Sequence, residues 1–585
     1  MPVITLDRFE LGIDLRKGDS VSDANRLRDL RNAYITAGWA IQKRPGLRRV
    51  LDLSQGSVGM LSFDNGMHTF SGSSNPLHAS NDELEVTNHV VLNPDNVSLD
   101  VERILYSDVF NGIIYVVVRY DDGSIKHHYL DDHPDWRPGT NYEEGDVVSG
   151  VSNGDPGVYY RCIDAGTSGG AEPTWPDIFS RPPAWEPNKA YDPDALVKPT
   201  GNATSIYTTT AAGTSGATEP VWADGVTDND ITWDFHGSGT EISDGTVVWE
   251  PITTAIDDPN CPHSESAIVL GSKVYAIDGE VTRFSATEDP TDWTTEDDAG
   301  FLPTGTRAPG SPTALALGDF QGNLVVFMDD SVQVWAVDPD PQRDTLTQII
   351  GNVGTHYPKS VNKVGDDLYF LSDVGFRSVA QQKFTTNLED VDVGTAIDPL
   401  VRPIIKDLPD IDVQSIYYAG GGQYACAVGE TMFVYSFSRT SKVSAWSYYE
   451  LPNGVEALET LGAKLYVRID DVIYHADDDY YTDDGDIFTV SGRMAYQSFK
   501  KPGVMKQVYG CDVVFEGEAI TRHKYDARSP DENTPWVRLE GDSRPGPLVP
   551  VEVMTTEVAF EFENKTDQDF RLDSVAYHYH ELDTI

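Results

Sequence analysis

A hairpin that returns at intervals of roughly 40 to 55 residues, the length of one propeller blade, constrains the fold of this chain more than any other feature. Five segments share a small residue, a strand rich in Val, Tyr and Phe, a tight Asp/Gly turn and a second strand: GSKVYAIDGEVTRFSA, GNLVVFMDDSVQVWAV, GDDLYFLSDVGFRSVA, GGGQYACAVGETMFVYSF and GAKLYVRIDDVIYHAD. Tyr275, Val326, Tyr369, Tyr424 and Tyr466 mark the successive units. Upstream, NGIIYVVVRYDDGSIKHHYL adds Tyr115, and GSVGMLSFDNGMHTFSG adds Met60, one such interval earlier. Hairpins at this period are the signature of a β-propeller, a ring of four-stranded blades around a channel. The chain is therefore expected to be all-β, with about six or seven blades. Its clearest helical candidate is SDANRLRDLRNAYI, where Ser22 or Asp23 caps a turn that points Leu27 and Leu30 inward.

One interval breaks the period: Tyr115 and Tyr275 stand several periods apart, and excising the block 134–251 restores a single one. The excised block is itself duplicated. Trp136 and Trp185, Tyr142 and Tyr191, Tyr159 and Tyr207, AGTSG, Glu172-Pro173 and Glu219-Pro220, and Trp175 and Trp222 recur in the same order. We read two small β modules inserted at a surface turn of one blade, where the ends of the insertion stay close together. Their aromatic rings have two roles open to them: stacking on sugar rings or a protein partner, or forming the core that so small a module needs.

Beyond DDDYYTDDGD the pattern changes to alternating strands, which predicts a C-terminal β-sandwich. The expected division is an N-terminal arm or assembly segment (1–50), propeller first part (51–133), inserted module 1 (134–183), inserted module 2 (184–252), propeller second part (253–486) and sandwich (487–585). Asp477 to Asp486 is expected as a linker or a solvated turn, because it lacks the ligand spacing of a calcium loop.

Charge and motifs exclude several functions. With 94 acidic against 43 basic residues the net charge is −51, which argues against a protein that grips phosphates through clustered cations. Cys162, Cys261, Cys426 and Cys511 are far apart in the chain and form no CxxC pair, so neither a zinc site nor a disulfide framework is suggested. No GxSxG, HExxH or Walker segment occurs, no cofactor is called for and no enzyme activity is expected. His127 and His128 fall on a strand, one expected inward and one outward, so the two rings cannot share a metal. DGTVVW, at Asp244 to Trp249, resembles a sialidase Asp-box turn but occurs once. No signal-like or membrane-spanning apolar run is present, so the expectation is synthesis in the cytoplasm without a membrane span.

Two resemblances sharpen this reading. The modules resemble, in their WxxxxxYxxGdxV openings, small domains of chitin-type carbohydrate-binding proteins and of phage tail proteins; YDPDALV in the second copy lacks the glycine of YEEGDVV. FELGIDLR followed by LRDLRNAYITAGWAIQKRPGLRRV resembles the opening of phage tail nozzle proteins, the tail tubular protein B type of short-tailed phages. Asn32, Tyr34, Gly38, Lys43, Arg44, Pro45 and Gly46 match that family's segment, and FRLDSVAYHYHEL resembles its closing strand. The resemblance implies a structural virion protein, assembled in the host cytoplasm and placed in the tail. It would form a homo-oligomeric ring, a hexamer, below the portal and adaptor, contact tail fibres, and pass DNA through its lumen without specific binding. An acidic lumen suits that role because it repels phosphates. Asn32, Tyr34, Lys43, Arg44, Pro45 and Gly46 are then the assembly segment, Lys43 and Arg44 meeting carboxylates of a neighbouring blade or subunit. The competing readings are a propeller-type glycan-active enzyme and a glycan-binding adhesin.

Overall fold

A computed structural model describes residues 2–582 except 24, 54, 73–78, 153–155, 176–184, 192–195, 198–204, 210–211, 223–225, 230, 239–241, 308–312, 381–391, 407–412 and 544–547. Seven sheets form a propeller. Blade 1 comprises Ser57–Phe63, Gly66–Ser71, Glu85–Val90 and Ala79–Ser80; blade 2 comprises Val101–Phe110, Ile113–Tyr120 and Ile125–Tyr129. Blades 3, 4 and 5 begin at Ala267–Leu270, Ala316–Phe320 and Asn362–Val364, and blades 6 and 7 at Val413–Tyr418 and Ala457–Leu461. The first strand of each blade touches the first strand of the next, and blade 7 touches blade 1, so the ring closes.

The blades hold together through apolar layers that each strand feeds from both faces. In blade 4, Leu324, Val326 and Met328 pack toward blade 3, whereas Val325 and Phe327 pack toward blade 5. In blade 2, Ile114, Val116 and Val118 face blade 1, whereas Tyr115 and Val117 face blade 3. A strand buried on both faces reads as a continuous apolar run, which is why NLVVF and IIYVVV do not alternate. The same burial corrects the reading of the histidine pair. His127 and His128 do point to opposite faces, but both are buried, His127 against the Tyr115 hydroxyl and His128 against Tyr120 and Thr254. Met60 also moves: it lies on the first strand of blade 1, whereas the other six markers lie on second strands.

The N-terminal region is not an arm. Val3–Leu6, Ala33–Ile35 and Ile41–Lys43 join the sandwich sheet built on Arg571–Glu581, Lys506–Glu516 and Val549–Thr555. Gly46–Asp52 becomes the outer strand of blade 7, pairing antiparallel with Val472–Asp477. The helical candidate is a strand: Leu27–Arg31 lies between Val443–Glu450 of blade 6 and Val490–Met494 of the sandwich, and a 3-10 turn, Asp19–Val21, precedes it. Burial of Leu27 and Leu30 in this pairing overrides local helix propensity. The result is one nine-stranded sheet running from blade 6 into the sandwich, over a core shared by Phe376 and Trp446 of the propeller and Phe560, Leu572 and Tyr577 of the sandwich.

The modules are nested rather than consecutive. Module 1 orders its strands Val147–Val148, Val158–Asp164, Val247–Thr253, Ile242–Asp244, and module 2 repeats that order with Leu196–Val197, Ser205–Thr209, Ile231–Ser238, Val226–Asp228. Module 2 therefore sits inside module 1, which replaces the expected boundary; positions 183 and 184 themselves lie outside the described residues. Both hang from blade 2, whose fourth strand is reduced to a bridge between His128 and Ala255. Module 1 packs on the propeller through Val90, Leu92 and Val97. Gly157 allows that approach, since a Cβ there would stand 2.6 Å from the Val90 carbonyl oxygen.

Between blades 7 and 1, the Glu459 carboxylate accepts a hydrogen bond from the Ser62 hydroxyl at 3.1 Å. Burial pushes its pKa up to about 7, with Asp108 adding to the rise against the hydrogen bonds that lower it. The neutral acid is favoured in the folded state, so stability is greatest below the ordinary glutamate range and falls as pH rises through about 7. Glu459→Gln is expected to match the parent near pH 5 and to exceed it by up to about 3 kcal/mol near pH 8.5. Melting curves at the two pH values check this.

Candidate functional site

The chain passes from sandwich to propeller at Lys43-Arg44-Pro45-Gly46. Lys43 ends a sandwich strand and Gly46 begins the blade 7 strand. Lys43 is fully buried; its Nζ donates to Asn564 Oδ1 at 3.2 Å and to the carbonyls of Thr566 at 2.6 Å and Gln568 at 3.3 Å. Burial, reinforced by Arg44, pushes its pKa down to about 8. Arg44 forks onto Asp483, Nη1 to Oδ1 at 2.8 Å and Nη2 to Oδ2 at 2.5 Å, while Nε donates to Asn32 Oδ1 at 3.1 Å. Its guanidinium lies 3.8 Å from the centre of the Phe488 ring, where charge and quadrupole attract.

The remaining residues of the segment support this crossing. Asn32 adopts φ 53°, a conformation Asn tolerates better than most residues. Its side chain accepts from the Glu450 N–H and donates to the Thr489 carbonyl. Gly46 lies against backbone: a Cβ there would come within 2.2 Å of the Thr482 carbonyl oxygen. Pro45 and Tyr34 line a 420 Å³ pocket beside Tyr418 and Asp478. Burial, with Asp478 and Asp569 nearby, raises the Tyr34 hydroxyl to about 12. The acidic run is corrected accordingly, because Asp483 is not a solvated turn residue: it holds both Arg44 and the Leu47 N–H. Lys43 and Arg44 thus find their partners within this chain, and only Arg44 meets a carboxylate: Lys43 is held by an amide and two carbonyl oxygens, which corrects the expected pairing.

Of the eight module aromatics, seven build or pack against the module cores, Tyr159 being the exception. Trp136, Trp175, Trp185, Tyr191 and Tyr207 are each at most 7% exposed, and Tyr142, Tyr159 and Trp222 are half-buried. In module 1 the Trp136 indole donates to Asp244 Oδ2 at 2.7 Å, Trp249 donates to the same oxygen at 3.3 Å, and the Gly169 N–H donates to Oδ1 at 2.7 Å. Asp244, in the DGTVVW stretch, is therefore the hub of the module. That stretch also recurs: the hairpin Asp244↔Val247 and Ile242↔Trp249 has the register of Asp228↔Ile231 and Val226↔Trp233. The repeat is hidden because only Asp and Trp are shared between DGTVVW and DNDITW.

The alignment of the two copies shifts by one position at a single tyrosine. Counting back from AGTSG, Tyr160 rather than Tyr159 matches Tyr207. Tyr160 stacks on Trp175 with centroids 3.9 Å apart, and Tyr207 packs on Trp222 at 4.5 Å. Trp175 and Trp222 donate to Glu172 and Glu219 in parallel fashion, at 2.7 and 2.9 Å. Tyr159 points to the other face of the sheet, its ring edge-on to His133 at 4.7 Å. Because a strand alternates, one step of register decides between core and surface. Among the described residues no group of three or more His, Cys, Asp or Glu is placed to hold a metal, and no helix is long and apolar enough to cross a membrane.

No family model matches the chain, and no curated protein matches it. Among solved structures, BamB from Moraxella catarrhalis aligns with 73% of this chain and 96% of its own at 8% identity, TM-score 0.31. The Pan2 WD40 domain of Neurospora crassa aligns with 59% of this chain and 98% of its own at 9% identity, TM-score 0.25.

The crossing and the module hub are both open to mutation. Arg44→Met leaves the Asp483 carboxylate without its cation and is expected to cost about 3–5 kcal/mol, with Arg44→Lys intermediate because a lysine cannot make the fork; denaturant melting of the variants checks it. Trp136→Ala opens a cavity and leaves Asp244 short of a donor, which is expected to destabilise module 1 by about 3–5 kcal/mol. Limited proteolysis should then cut within 134–253 while the propeller survives.

Proposed function

We propose that this chain is a non-enzymatic structural subunit of a phage tail nozzle, forming a homo-oligomeric ring below the portal and adaptor. The observation that carries the reading is the crossing at Lys43 to Gly46. The segment on which the resemblance rests joins propeller to sandwich with buried charge and a shared sheet. Such a joint makes one stiff body of the two, as a subunit in the wall of a DNA conduit requires. The net charge of −51 supports the same role, because acidic walls repel the phosphates of a passing duplex and leave it free to slide. The inserted modules leave the propeller at blade 2 rather than at the crossing, and in this reading they are the part offered to tail fibres or host glycans.

Negative-stain imaging and native mass spectrometry of the purified chain test the proposal. Closed rings, hexameric in mass, are expected. Assembly should strengthen with ionic strength, since the subunits repel one another and salt screens that repulsion. A chain that stays monomeric across concentration and salt would remove the nozzle reading and favour a soluble adhesin.

A further inference from the structure

A cavity of 710 Å³ lies between module 1 and blades 2 and 3, outside the crossing and outside the aromatic cores. One wall is the outer face of the module sheet, with Arg161 and Glu250 paired at 2.7 Å; the other carries Lys126, Tyr129 and His133. The volume falls within the range of small-molecule sites. Lys126, Asp257 and Ile256 also line a 250 Å³ recess, so the two spaces share a wall. His127 lines that recess. Its Nδ1 meets the Tyr115 hydroxyl at 2.5 Å, while Nε2 is buried without a hydrogen-bond partner. Burial holds the ring neutral by pushing its pKa down to about 3.

We propose that this cleft is a binding site for a neutral oligosaccharide. The lining interleaves acceptors and donors: carboxylates Asp95, Asp131, Glu250, Asp257, Glu288 and Asp289 against the cations Lys126 and Arg161. An acidic glycan would face six carboxylates and find both cations already paired to Asp95 and Glu250, so the lining offers an anion nothing to hold. Sugar hydroxyls both donate and accept, so they satisfy the carboxylates and the cations alike. The half-buried rings of Tyr129 and His133, the latter braced edge-on by Tyr159, supply apolar surface for sugar C–H groups. The module brings the second wall, which accounts for an insertion whose own aromatic residues are mostly internal. The site stands whether or not the chain forms rings.

The test is a glycan array of neutral hexose and N-acetylhexosamine oligomers, sialylated and sulfated glycans, and a lysine-rich peptide as competitor, probed with the full chain. Retention of neutral oligomers alone is expected. Tyr129→Ala and Arg161→Gln should each weaken it by about tenfold or more, with melting and near-UV circular dichroism unchanged; a tenfold loss corresponds to about 1.4 kcal/mol. Tyr509→Ala, an exposed ring on the sandwich, should leave binding intact. Arg161→Gln, on the half-exposed module face, serves as the readout if Tyr129→Ala fails to fold. No retention of neutral oligomers at millimolar concentration, equal retention of acidic ones, or insensitivity to both cleft variants would overturn the proposal. Tighter binding of the peptide would assign the cleft to a protein partner and overturn it likewise.

Discussion

The fork between Arg44 and Asp483 is the contact on which the two bodies depend. It lies where a strand leaves the sandwich and enters the last blade, with its guanidinium 1% exposed and its carboxylate 10% exposed. Removing two charges from water is expensive, and the site compensates with a bidentate geometry, a further bond from Nε to Asn32 and a phenyl face beneath the cation. Buried polar groups of this kind fix a register. Sliding Gly46–Asp52 along blade 7 would separate Arg44 from Asp483, and sliding Ile41–Lys43 along the sandwich would separate Lys43 from the carbonyls of Thr566 and Gln568. Local polar contacts thus set how propeller and sandwich are joined.

Much of the propeller was legible because its signal is periodic. Strands buried on both faces, as in Leu324 to Phe327, leave apolar runs between Asp/Gly turns, and those runs count blades. Partners distant in sequence were not legible. Leu27–Arg31 reads as helix because Leu27 and Leu30 are three apart; only its neighbours, Tyr448 on one side and Gly492 on the other, make it a strand. The outer strand of blade 7 likewise comes from the opposite end of the chain, as in the pairing of Asp52 with Val472, a distance no local pattern reports.

The crossing was legible in part. Its unusual composition marked Lys43 and Arg44 as cations in need of carboxylates, and turn-like DDDYYTDDGD hid the partner because Asp483 differs from its neighbours only in where the fold puts it. In the modules, identity of residues was easier to see than identity of position. AGTSG and the Glu-Pro-x-Trp steps aligned the copies, yet Tyr159 and Tyr160 differ by one place and lie on opposite faces. The nesting of one copy inside the other follows from the pairing of Val158–Asp164 with Val247–Thr253, which only the sheet order reveals.

Blade 7 joins a strand made early in synthesis to strands made only after six other blades are complete. A growing chain therefore carries Gly46–Asp52 with its partner edge absent for most of translation, and the sandwich waits longer still for Arg571–Glu581. Contacts of such long range are slow to form, and open strand edges invite other chains while they wait. The surplus of carboxylates bears on this stage of folding. Like-charged nascent chains repel one another, and this keeps the unpaired edges apart until the ring of blades can close.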